Sequence, residues 1–420
     1  MKNTRLLTIF LIVFIDLLGF SIILPLLPYY AETYGATPFI VGLLVASYAA
    51  AQFIGAPLLG RLSDRIGRRP VLLLSVAGTL IGFLLLGLAE PLGKYLAELI
   101  NPAAVNIIIL GILFFSRILD GMTGGNITVA QAYITDVTDE QNRAKGLGLI
   151  GAAFGLGFII GPALGGALSQ YSYSLPAFLA AAVSFVNLIL IFFLLPESLT
   201  PERRAASSTS SRPPFSFKAL QIALKRPKVG PLLQLRFLFS LAFATFQTIF
   251  TLYTQGLGLS PQTTGYLLAY VGLLSVIVQA GLIGILTRRF KENWLIITGL
   301  WIMTGALLAW AFTTRLIGVV IVILPLALAG GVLNTVIQSA ITKSVTRQEV
   351  GGMLGVSTSL ESLTRVIAPI AGGYLLQNLG LWAPGVFSAL LMGWAIVLAY
   401  WRIVRPSNQE KGDASFATVE

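Results

Sequence analysis

The 420-residue chain contains no cysteine and no histidine. The first absence excludes disulfides and thiolate metal sites. The second removes the commonest metal ligand and the side chain that ordinarily titrates near neutral pH, so any proton handling falls to carboxylates. Charge is scarce as well. Asp, Glu, Lys and Arg make up 11% of the residues, against about 25% in a soluble domain. No G-x4-G-K-[ST] loop is present, so nothing points to ATP. What fills the chain is apolar: 56% hydrophobic residues, with a mean hydropathy of +0.84.

Apolar runs near or above ~18 residues recur from end to end, the mark of a polytopic helical membrane protein. Twelve spans are expected, over 6–28, 38–60, 70–89, 105–133, 146–168, 175–195, 231–254, 263–286, 294–313, 316–342, 350–376 and 381–402. The first follows Lys2 and Arg5 as a signal peptide would. It lacks a small-residue cleavage site and runs on into "LPLLPYY", so it reads as a retained span.

The net charge of +11 suggests nucleic acid until its placement is considered. All but five of the 28 basic residues fall at the N-terminus, in the even-to-odd connections or in the C-terminal tail. The exceptions are Lys94 and Arg315 on the opposite side, and Arg117, Arg236 and Arg365 inside spans. Positive-inside bias then places both termini in the cytoplasm. The basic excess is topological, with attraction to anionic membrane lipid and no nucleic-acid partner. Arg236 lies near the cytoplasmic edge of its span, where its head group is expected to snorkel.

Near the middle, "ESLTPERRAASSTSSRPPFSFKALQIALKRPKVG" reads as a linker. Within it "FKALQIALKR" has the pattern of a short amphipathic helix on the membrane surface. The expected organisation is a six-helix half over 1–196, a cytoplasmic linker over 197–229, a second six-helix half over 230–403 and a tail over 404–420. The halves repeat. An ungapped shift of 207 residues places Gly124 on Gly331, Gln131 on Gln338, Gly148 on Gly355, Pro162 on Pro369, and Gly165-Gly166 on Gly372-Gly373. Repeated halves are a sign of secondary transporters, with substrate near the midplane.

"GRLSDRIGRR" joins spans 2 and 3, and its glycines permit a tight turn. It resembles the major facilitator superfamily signature G-x-L-x-D-R-x-G-R-R. The resemblance implies an all-α fold of twelve membrane helices in two pseudo-symmetric halves. It also implies a cytoplasmic gate latch built from Gly60, Asp64, Arg65, Gly67, Arg68 and Arg69. The second-half counterpart "GILTRRFKEN" is degenerate, with Arg288 where Asp64 stands, so an asymmetric latch is expected.

Span 5 holds Gly148, Gly157, Gly161, Pro162, Gly165 and Gly166. Small residues let membrane helices approach closely, and proline allows a bend. The spacing resembles the span-5 signature of proton-driven antiporters in the same superfamily, and implies a seam between moving helices. Static close packing is the plainer reading.

Three spans carry the groups of the candidate transport pathway. In "DLLGFSIILPLLP", Asp16 lies about 15 Å into span 1 at ~1.5 Å per residue, where a charged side chain costs about 2.5 kcal/mol or more. The D-x-x-G-x5-P-x2-P pattern resembles span 1 of drug/proton antiporters, including the tetracycline exporters; a structural hydrogen bond is the alternative. In span 4, Arg117 and Asp120 are one turn apart and can meet. The arginine resembles the R-x-x-x-G motif of the same antiporters, with Asp120 where glutamine is common. Asp120 either neutralises Arg117 permanently or titrates under its influence. Asn126 and Gln131, further along, contact substrate or bond to neighbouring helices. In span 11, Glu361 and Arg365 are spaced i, i+4, where the first half has Phe154 and Phe158. This pair serves either structure or coupling.

The resemblance covers essentially the whole chain and implies a twelve-span, tetracycline-exporter-like drug/proton antiporter. The expectation is a monomeric, cofactor-free, multi-pass protein of the cell's inner membrane. It would export a small lipophilic or amphipathic compound in exchange for protons, through Asp16, Arg117, Asp120, Asn126, Gln131, Glu361 and Arg365. A symporter or facilitator for a small metabolite, and a non-transporting receptor or lipid-binding scaffold, are the alternatives. Neither an enzyme nor a metal site is expected.

Overall fold

The computed structural model describes residues 2–199, 217–346 and 349–404. Most of the expected linker, over 200–216, and the tail from 405 onward lie outside the described residues. Among the described residues every regular element is a helix. The first group comprises α1 (Lys2–Ile23), α2 (Leu27–Thr33), α3 (Pro38–Ile66), α4 (Arg68–Gly87), α5 (Ala89–Ile100), α6 (Val105–Thr123), α7 (Asn126–Val137), α8 (Glu140–Leu168) and α9 (Ser174–Leu194). There follow α10 (Phe217–Lys225), α11 (Gly230–Gly256), α12 (Pro261–Ile277), a π-turn (Val278–Leu282), α13 (Ile283–Arg289), α14 (Glu292–Ala311), α15 (Leu316–Lys343), α16 (Val350–Leu379) and α17 (Ala383–Ala399).

Helix falls on all twelve expected spans. Among the described residues, ten segments are long and apolar enough to cross a membrane by length and composition alone. The other two are the π-interrupted run from α12 to α13 and α16, which carries Glu361, Arg365 and several serines and threonines. Large apolar side chains lie open on the outside, among them Ile107, Phe193, Ile317 and Trp394. Such a surface suits lipid and is foreign to a water-soluble monomer.

Local chemistry sets the boundaries. Pro25 has no N–H to continue α1, and Pro28 enters the first turn of α2, where that N–H is not needed. Thr37 caps α3 and Asp139 caps α8, accepting from the Asn142 N–H at 2.9 Å. Gly67, at φ +113°, ends α3 and lets α4 begin at the next residue.

The expected single span over 105–133 is interrupted. Gly124 and Gly125 separate α6 from α7, because two glycines in succession weaken the helix and neighbouring side chains take up the released backbone groups. Gln52 of α3 donates to the Gly124 carbonyl at 3.1 Å, and the Ser75 hydroxyl of α4 accepts from the Gly125 N–H at 3.3 Å.

The chain divides into two compact units, Met1–Arg212 with Phe250–Leu273, and Pro213–Ile249 with Leu274–Glu420. In the first, Ile9, Ile12, Val71, Val129, Tyr133 and Ile191 form a continuous apolar core. In the second, Phe246 packs edge-on against Trp310 with ring centres 5.0 Å apart. There α17 approaches α14 where Gly385 faces Ala311.

Candidate functional site

Each unit holds its own set of ionisable residues. In the first unit the set gathers at the break in span 4. Asn126, the first residue of α7, donates its side-chain amide to the Asp16 carboxylate of α1. Its side-chain oxygen contacts the Ser75 hydroxyl, which also reaches the Thr123 carbonyl at the end of α6. Asp16 and Asn126 were legible as separate residues; their meeting was not. Among the described residues no cation pairs with Asp16.

One turn before the break, Arg117 and Asp120 meet at 3.2 Å, and both side chains are only 3% exposed. The Arg117 guanidinium lies over the rings of Phe83 and Tyr48, at 5.4 and 6.0 Å. Its Nε and one Nη find no acceptor. Gln131 is exposed and joins none of these contacts.

Most of the small residues of α8 serve close approach. A Cβ at Gly157 would stand 3.2 Å from Leu17, one at Gly161 would run into Ser21, and one at Gly165 would meet the Ile22 carbonyl. The Ser21 hydroxyl donates to the Gly157 carbonyl at 2.8 Å, fixing α1 against α8. Gly166 turns to α12, where a Cβ would lie 2.7 Å from the Pro261 carbonyl; Pro162 presents its own carbonyl to Gly265 of that helix. Gly148 has open space around it and takes no part in this packing. It shares the spacing but not the contact, because spacing does not fix which face of a helix finds a neighbour.

The loop between α3 and α4 forms a polar knot around Arg68. Its guanidinium meets Asp64 at 2.7 Å, Asp136 of α7 at 3.0 Å and the Ser63 hydroxyl at 2.7 Å. Glu197 accepts the backbone N–H groups of Arg68 and Arg69 at 2.9 and 3.1 Å, capping the start of α4. Arg69 donates to the Phe192 carbonyl and lies over that ring. Arg65 is exposed. Gly60 makes only ordinary contact with Thr128, whereas Gly67 is required by its backbone angle. Glu197 and Asp136 are the members that sequence reading missed, Glu197 because it opens the expected linker.

The second unit repeats this knot with the charges exchanged. Glu292 opens α14 as Arg68 opens α4, and it meets Lys343, at the end of α15, at 2.5 Å. Ser339 adds a hydrogen bond to Glu292 at 2.9 Å. Lys343 is the 207-residue counterpart of Asp136, so the signal was present in the repeat. Nearby, Arg226, just after α10, meets Glu349 at 2.8 Å; the hydrogen bond holds that carboxyl below the usual glutamate range.

Deeper in this unit, Glu361 accepts from Arg365 at 2.9 Å and from Arg236 at 2.9 Å. Arg236 also donates to the Asn334 side chain at 2.6 Å. It does not snorkel. Its side chain is 7% exposed, because Glu361 and Asn334 offer it acceptors inside the bundle. Among the described residues no three His, Cys, Asp or Glu side chains are grouped to hold a metal ion.

Described residues that are all-helical in their regular elements, an outer surface rich in large apolar side chains, internal sequence repeats and ionisable residues buried in the spans together fit a membrane transporter. The sequence profile of the Major Facilitator Superfamily matches residues 9–327 and 280–418. The chain is 32% identical to the class C tetracycline resistance protein of Escherichia coli, over 88% of this chain and 89% of that protein. It shares its fold with the human organic anion transporter MFSD10 (TM-score 0.65, 22% identity, 95% and 99% of the two chains). It shares it also with a bacterial homologue of the human lysosomal transporter Spinster (TM-score 0.73, 16% identity, 95% and 96%). The chain belongs to the Major Facilitator Superfamily, and it is a multi-pass membrane transporter of small molecules.

Proposed function

We propose that this transporter is a proton-coupled antiporter that exports a small lipophilic or amphipathic compound by alternating access. The observation that carries the reading is the Asp16 carboxylate, held within span 1 by a neutral amide at the break in span 4. A carboxylate without a cationic partner is costly in a membrane interior, and a bound proton removes that cost. Protonation also gives Asp16 an O–H donor and removes the charge that strengthens the bond it accepts from Asn126. Because Asn126 begins α7, the change acts directly on the Gly124–Gly125 break, an element able to take two arrangements. The polar knot around Arg68 forms the cytoplasmic gate, and the α8 glycines form the surface on which helices slide. Both termini lie in the cytoplasm, under the cell's inner membrane, and the protein works as a monomer beside anionic lipid.

The sign of proton movement tests the reading. Proteoliposomes are loaded acid inside and given tetracycline, the compound that names several relatives, or members of a lipophilic panel. An antiporter exchanges substrate entry for proton exit, so the lumen becomes more alkaline. A symporter moves substrate and proton together and acidifies the lumen; a receptor or scaffold produces neither change.

A further inference from the structure

We propose that the Arg236–Glu361–Arg365 cluster is a binding site for the anionic group of the transported compound, which makes the substrate an amphipathic organic anion such as a carboxylate or sulfonate. The inference rests on the transport reading above and adds the substrate's chemical class.

Glu361 lies between two guanidiniums, at 2.9 Å from each, and is the one carboxylate of the cluster among the described residues. The cluster therefore carries one formal positive charge in excess. The other described carboxylates of this unit, Glu292 and Glu349, are engaged with Lys343 and Arg226 at helix ends. Asp16, Arg117 and Asp120 in the first unit sum to the opposite sign.

The cluster's hydrogen bonding is incomplete. Arg236 is nearly sealed from solvent, yet its Nε–H has no acceptor. Arg365 uses one terminal nitrogen on Glu361, and its side chain is 57% exposed about halfway along α16. A guanidinium exposed at that depth needs water or a polar ligand, since lipid tails provide neither. Its planar fork suits the two oxygens of a carboxylate or sulfonate. Packing alone does not call for these charges: Phe154 and Phe158 occupy the equivalent places in the first half.

The test uses the full-length protein in phosphatidylcholine nanodiscs and two xanthene dyes of opposite charge, fluorescein and rhodamine 6G. Binding is read by dye anisotropy against empty discs. Fluorescein should bind saturably and resist displacement by rhodamine 6G. Arg365→Gln, at an exposed position that should fold normally, should weaken fluorescein at least tenfold. Glu361→Gln removes the competing carboxylate and should tighten it, an effect that a purely structural role would not produce. Unchanged fluorescein affinity in Arg365→Gln, equal loss in both variants, or preference for rhodamine 6G would overturn the proposal. So would thermal stabilisation by added phosphatidylglycerol that depends on Arg365 without any fluorescein binding, which would assign the cluster to lipid. Proton-driven export of rhodamine 6G that survives Arg365→Gln would refute the anion site and leave antiport standing. Arg365-dependent fluorescein binding without any proton response would do the reverse.

Discussion

The Asn126 side-chain amide donates to the Asp16 carboxylate, joining two residues 110 positions apart. Through this bond a single titratable group in span 1 is tied to the first residue after the interruption of span 4. The rest of the first unit is arranged to keep that bond in place. Ser75 and Gln52 hold the interruption open, Arg117 and Asp120 close the turn before it, and the α8 glycines bring α1 into register.

Arg117 and Asp120 should prove to be a fold-bearing pair. Asp120→Asn leaves the Arg117 charge buried without a counter-ion and should cost about 3–5 kcal/mol. Replacing both residues by leucine should recover most of that loss. Thermal unfolding of the purified variants measures both effects; a fully stable Asp120→Asn protein would show that the pair does not carry the fold.

The glycines of α8 should separate by position. Gly161→Leu and Gly165→Leu drive side chains into Ser21 and the Ile22 backbone, and overpacking of this kind costs about 1–3 kcal/mol or more. Transport should be lost while membrane insertion persists. Gly148→Leu projects into open space and should insert and transport normally. Equal behaviour of all three variants in a transport assay would mean that contact with α1 is irrelevant.

The two charge-exchanged knots should differ in weight. The Arg68–Asp136 pair is 8% and 13% exposed, whereas Lys343 and Glu292 are 68% and 30% exposed. Arg68→Gln removes charge-assisted bonds worth about 1.5–3 kcal/mol each and should lower both stability and transport. Glu292→Gln removes a largely solvated bridge and should cost under about 1 kcal/mol. Paired unfolding measurements decide this; equal losses would contradict the burial argument.

Much of the architecture can be read from the sequence, because hydropathy alone dictates where a membrane helix can lie. Helix falls on every expected span, though that over 105–133 is broken, and the superfamily signature around Arg68 falls at the α3–α4 turn. What escaped detection depends on direction around a helix rather than position along it. Arg236 was placed near the membrane edge by counting residues, but its long side chain turns inward to Glu361. Gly148 follows the motif spacing yet faces no neighbour. The break at Gly124–Gly125 depends on partners from other helices, Gln52 and Ser75, which pairing along one helix does not reveal. Glu197 looked like the start of a polar linker, and only the fold brings it to the exposed N–H groups of α4.

Asp16→Asn tests the central claim most directly, because it keeps the shape of the side chain and removes its ability to exchange a proton. Proteoliposomes holding this variant are assayed in two modes with one transported compound, exchange at equal pH and accumulation driven by a pH jump. The account predicts that exchange persists and that pH-driven accumulation disappears. Accumulation at the native rate and extent would contradict it, and would remove Asp16 from proton coupling.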